Sequence, residues 1–100
     1  MEALHSGEVK KVVDALLALT FHNDDWKAVQ EICIRCSSDQ NPNVRGIAIL
    51  CFGHLARIHG DLEQDKVLPI VRNALNDPNE FVRSHATSAL DDIHFFLNSH

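Results

Sequence analysis

The chain repeats itself. Shifted by 38 residues along its own length, Asp39 falls on Asp77, Val44-Arg45 on Val82-Arg83, Ala48 on Ala86 and Leu55 on Ile93. Upstream, Val29 falls on Val67, Ile32 on Ile70, Cys33 on Val71 and Cys36 on Ala74. One fixed offset thus superposes an apolar stripe, a loop and a second apolar stripe. An amphipathic hairpin of this size cannot bury its apolar side alone, so the copies must stack and share a core.

The stripes follow the helical period. Val9, Val12, Val13, Leu16, Leu17 and Thr20 recur at i, i+3, i+4 and i+7, which predicts a first helix capped at Ser6. A second is expected from about Trp26 to Ser37, after the break at His22 to Asp25. Asn41 as cap and Pro42 as first helical residue open a third, which Gly60 closes near His59. Pro69 is tolerable only near a helix start, so the fourth is placed late, from Glu63 to Asp65. The fifth runs from about Asn79 to Leu97. No segment alternates at period two for long. The expected fold is all-α: a short superhelical stack of about five helices in a single domain, 1–100.

The two loops read "DQNPNVR" and "DPNEFVR", so Asp-x4-Val-Arg occurs twice at the same offset. With helix pairs of this length, the pattern resembles the HEAT-repeat family well over about residues 22–97, and loosely over 5–21. The resemblance implies a ladder in which Asp39 and Asp77 accept hydrogen bonds from neighbouring loops and Arg45 and Arg83 supply them. It also implies two and a half repeats, with the last helix lacking its partner, and a second helix of each hairpin lining the concave surface.

"CIRC" at Cys33 to Cys36 and "CFGH" at Cys51 to His54 imitate zinc-ligand spacing. The repeat register argues otherwise. Cys33, Cys36 and Cys51 stand where the other copy has Val71, Ala74 and Ala89, and a buried free cysteine packs as a small hydrophobe. His54 registers with Asp92, one position off the core residue Leu55, and is expected to point outward. No metal and no cofactor are expected. Catalysis has no better foothold. The seven histidines are scattered and none is followed by Glu, so the iron-binding His-Glu pairs of HEAT-like hydroxylases are missing. The adjacent pairs Asp24-Asp25 and Asp91-Asp92 splay about 100° apart on a helix, which suits a solvated face or a cap rather than an acid/base dyad. The chain is therefore expected not to be an enzyme.

Charge narrows the partners. Fourteen acidic against nine basic side chains leave −5, which argues against nucleic acid as the main ligand. No apolar run is long enough to span a bilayer, and the first residues lack the pattern of a secretory signal. The expectation is a cytoplasmic protein that binds another protein, a cationic one. Acids gather around the fourth helix, at Asp61, Glu63 and Asp65, with Glu31 one repeat away and Arg72 on the same face. These are the candidate partner-binding residues, together with Phe81 and Phe95, which fall off the core stripe of the last helix and offer a route to self-association. Small acidic HEAT-like proteins are similar to some immunity proteins that block a cationic toxin, often a nuclease, and that is the leading expectation. Two alternatives stay open: a HEAT-like lyase or chaperone subunit handling a cofactor or chromophore, and a small adaptor subunit.

Overall fold

The computed structural model describes residues 8–98, and among these no strand is present. Five helices follow one another: α1 (Val9–His22), α2 (Trp26–Cys36), α3 (Pro42–His59), α4 (Gln64–Ala74) and α5 (Glu80–Ile93), the last continued by a π-helical turn, His94–Asn98. The fold is all-α. The Ser6 cap lies outside the described residues.

Local chemistry sets the helix starts. The Asp25 carboxylate accepts the Ala28 amide. Asn41 takes the amides of Asn43 and Val44, with Pro42 in the first turn, and Asn79 takes those of Phe81 and Val82. In each case a side-chain oxygen satisfies donors that the first turn leaves without a partner. Gly60 closes α3 at φ 64°, a left-handed conformation that glycine adopts without strain. Pro69 departs from expectation. It sits as the sixth residue of α4, inside the helix rather than at its start. Its side is exposed, so water can satisfy the carbonyl that a proline leaves unpaired. The last helix also changes character, since its final turn widens to the π form and Asn98 reaches across to the Gln64 side chain at 2.9 Å.

The helices form two layers. α3 packs along α5 and against α1, while α2 sits on α1 and α3, and α4 on α5 and α3. α2 and α4 hardly touch each other. The apolar stripes of all five helices meet in one core around Val44, Ala48, Phe52, Leu55, Val82 and Ile93, each fully buried. Cys33, Cys36 and Cys51 lie in that core. The repeat register is kept in α4 by Val67 and Val71, which are buried, whereas Ile70 is only half-buried.

Two glycines explain why one layer is tighter. A Cβ on Gly53 would lie 3.0 Å from the Ala89 Cα, and one on Gly46 would lie 2.6 Å from the Phe81 ring. Glycine at both positions, two turns apart on α3, lets α5 come close. α1, α3 and α5 therefore form the close-spaced inner layer. α2 and α4 diverge above it and leave a groove of about 540 Å³ floored by Ile49. In a curved stack the wider spacing lies outside, so α2 and α4 are the outer helices, not the concave lining expected from their order.

Candidate protein-binding surfaces

Arg45 and Asp77 join the two hairpins. Arg45 grips the carboxylate with two parallel bonds, Nε to Oδ2 at 2.8 Å and Nη2 to Oδ1 at 2.9 Å. Its remaining nitrogen, Nη1, donates to the carbonyls of Asp39 and Gln40. Both side chains are largely shielded, at 18% and 13% exposure. The guanidinium holds the Asp77 carboxyl below the usual carboxylate range, and Asp77 raises the Arg45 pKa in return. Asp39 and Arg83 occupy the ends of this arrangement. Asp39 accepts its own loop's Asn41 amide at 2.7 Å, and Arg83 donates to the Asp77 carbonyl at 2.7 Å, as Arg45 does to Asp39.

The acids placed around α4 do several different things. Glu63 is tied to the buried Gln30 in both directions: the Gln30 amide donates to Glu63 Oε1, and the Glu63 backbone N–H donates to Gln30 Oε1, both at 2.8 Å. The Gln30 hydrogen bond holds the Glu63 carboxyl below its ordinary range. Lys66 then lies between Glu31, at 3.7 Å, and Glu63, at 3.6 Å. Asp61 accepts the Leu62 amide. Asp24, Asp65 and Arg72 are exposed and take part in no ion pair among the described residues. Glu31, Glu63 and Lys66 therefore form a bridge between α2 and α4, with Asp65 the neighbour of Lys66 in the chain and Arg72 two turns further along α4.

Phe81 and Phe95 lie on the other layer. Phe81 rests over Gly46 and against the His85 ring, with centroids 4.2 Å apart. Phe95 stands edge-on to Phe96 in the terminal turn. Fourteen residues of helix separate the two, about 21 Å of rise, so they mark opposite ends of α5 rather than one patch. His54 does not simply point outward: it is half-buried and stacked against Phe21 of α1 at 4.9 Å. Arg57 can only donate, so His54 Nδ1 accepts across their 3.1 Å contact and the ring is neutral with its proton on Nε2. Burial, with Arg57 beside it, pushes the His54 pKa down, and burial does the same to His85.

Gln30, Phe21, Leu50 and Ile58 escaped the sequence reading. The glycines of α3, seven apart, carried a signal, since glycine in a helix interior marks a close approach. For Gln30 there was none: it registers with Leu68 in the other repeat, and only the fold sets it against Glu63.

All three thiols are buried, and the Cys33 hydrogen bond pulls the Cys51 thiol down while its partner moves the other way. The hydrogen bond to Cys51, then burial, push the Cys33 thiol up, and burial does the same for Cys36. Among the described residues no group of three or more His, Cys, Asp and Glu side chains is placed to hold a metal ion. No described helix is long and apolar enough to cross a membrane.

The sequence pattern described as HEAT repeats matches residues 29–94. That span takes in α2 to α5, two hairpins, so the odd helix is α1 and not the last one. No curated protein and no solved structure matches the chain significantly. HEAT repeats serve chiefly as protein-interaction modules, and the two stacked hairpins with their Arg45–Asp77 link have that architecture. The chain belongs to the HEAT-repeat family.

Proposed function

We propose that this protein is a non-catalytic binding module whose partner is a cationic protein, met at the acidic loops that flank the outer helices, and that binding neutralises the partner in the manner of an immunity protein. The observation that carries this reading is the division of charge. The loops between helices hold six acids, Asp24, Asp25, Asp39, Asp61, Glu63 and Asp77, and no base, and α2 and α4 add Glu31 and Asp65 beside four bases, Lys27, Arg35, Lys66 and Arg72. α1, α3 and α5 hold four acids against five bases. Asp25, Asp39, Asp61, Glu63 and Asp77 are committed to hydrogen bonds within the fold. Asp24 and Asp65, and Glu31 in its exposed 3.7 Å pair with Lys66, are then the groups that meet a partner, with Arg72 two turns along α4 from Asp65; Phe81 and Phe95 lie on the inner layer and are secondary. Complementary charge steers encounter and sets specificity more than it adds affinity, and each exposed charge contributes roughly 0–1 kcal/mol.

Affinity capture from the native cell identifies the partner. Association rates are then measured against salt for the wild type and for Asp24→Lys with Asp65→Lys. The reading requires a slower rate in the variant at low salt and a flatter salt dependence, with helicity retained. Equal rates at every ionic strength would remove the outer layer from consideration. The neutralising role is separate: the captured partner, expressed alone, should arrest growth, and co-expression of this chain should relieve the arrest. A harmless partner refutes that part.

A further inference from the structure

A second groove, of about 410 Å³, runs along α1 beside α2. Val12, Ala15, Leu16 and Leu19 line it from α1, and Ile32 and Cys36 from α2. Lys11 and Arg35 stand at one end, where Glu8 pairs with Lys11 at 3.4 Å. Past Ala15 and Leu19 the groove opens into a recess bounded by Asp24 and Asp25. An apolar channel therefore connects a basic end to an acidic one. Arg35 and Asp24, one at each end, are exposed and take part in no ion pair among the described residues.

We propose that this groove takes an amphipathic helix of a partner protein, laid antiparallel to α1, with a base in its first turn and an acid in its last. The repeat says what kind of element belongs there. Shifted by 38 residues, Ile32, Arg35 and Cys36 fall on Ile70, Asn73 and Ala74. Those three residues line the groove between α4 and α2, and its opposite wall is a helix, α2, through Ile34, Ser37 and Ser38. α2 thus turns toward the α1 groove the same side that α4 turns toward α2. The two grooves are one feature repeated, and among the described residues the first lacks its far wall. Residues 1–7 are too few to supply it, since α2 and α4 each take 11. Charge sets the direction of the occupant. A helix is partially positive at its N-terminus and negative at its C-terminus. Antiparallel to α1, it brings the first end to Asp24 and the second to Arg35 and Lys11. The outer helices already run in that sense against the inner helices that follow them, as their short loops require. Repeat and charge therefore agree. The groove shares only Asp24 with the acidic surface proposed above, so either reading can fail alone.

A fluorescein-labelled peptide of 14 residues, the length of α1, tests it on the intact chain by anisotropy. The peptide carries leucines at i, i+3, i+4 and i+7, one lysine in the first turn and one glutamate in the last. It should bind saturably. Ala15→Asp should weaken it about tenfold or more with helicity kept, while Asp65→Lys leaves it as in wild type. Arg35→Glu should also weaken it, and exchanging the peptide's glutamate for lysine should recover that loss. Amide shifts on wild type should fall from Lys11 to Leu19 and from Ile32 to Cys36, a readout that needs no substitution. Absence of saturable binding overturns the proposal. So do shifts gathered in the groove between α2 and α4. A rise toward twice the 11.2 kDa monomer mass that brings the same shifts without peptide would make a second copy the occupant, and overturns it too.

Discussion

α3 and α5 lie against each other along their length, with Gly46 and Gly53 of one beneath Phe81 and Ala89 of the other. α2 and α4 hold the same places in the repeat, one hairpin apart, yet stand off from each other and are bridged by Gln30, Glu63, Glu31 and Lys66. The inner pair is joined by packing and the outer pair by polar groups. Burial of apolar surface supplies most of the stabilising free energy of a small domain, whereas partly exposed ion pairs contribute little. The inner layer thus sets how the hairpins stack, and the proposed reading leaves recognition to the outer side.

Core substitutions should break this contrast hardest. Val82→Ala, on the fully buried side of α5, should lose on the order of 1–4 kcal/mol, and Ile70→Ala, half-exposed on α4, under about 1.5 kcal/mol, by urea denaturation. Equal losses would mean that the layers are not distinct. Gly53→Ala should cost about 1–3 kcal/mol despite alanine's better helix propensity, because its Cβ meets backbone on α5 that cannot move without parting the helices. At Gly46 the obstacle is only the Phe81 ring, so Gly46→Ala should cost less.

The link between hairpins comes next. Asp77→Asn should lose roughly 1–3 kcal/mol, the range for hydrogen bonds to charged groups. The sign of its pH dependence follows from the direction of the shift. The Asp77 pKa is depressed in the folded state, so the pair's contribution is complete above the ordinary aspartate value of about 4 and is lost as pH falls through the lower folded value. The stability gap between wild type and Asp77→Asn should therefore narrow below about pH 4; a gap that widens there contradicts the assignment. Arg83→Ala marks the small end of the scale. This arginine is exposed and its side chain makes one hydrogen bond, to the Asp77 carbonyl, where Arg45 makes two to carbonyls and two to a carboxylate, so its loss should stay within about 0.5 kcal/mol.

The architecture was legible because the repeat states it twice. The period, the cap at Asn41 and the stop at Gly60 follow from local chemistry, and the register placed all three cysteines in the core. What the repeat could not convey was the spacing between hairpins. That depends on what Gly46 and Gly53 meet across the layer, and it decides which helices lie outside. The surface was harder to read for the same reason. Glu63 reads as one acid among several, but Gln30, more than thirty residues away, makes it part of the fold's framework. Phe81 and Phe95 look like a pair on a helical wheel and are a full helix length apart. Phe21 gains its meaning only from the His54 ring that it covers.

The claim that recognition belongs to the outer layer is tested most directly by following backbone amide shifts while a lysine-rich peptide is titrated into the protein at low salt. The account predicts shifts concentrated at Asp24, at Glu31 and from Gln64 to Lys66, fading as ionic strength approaches about 0.1 M, where charges are screened over roughly 10 Å. Shifts centred on the exposed side of α3 and α5, or spread evenly over the molecule, would contradict it.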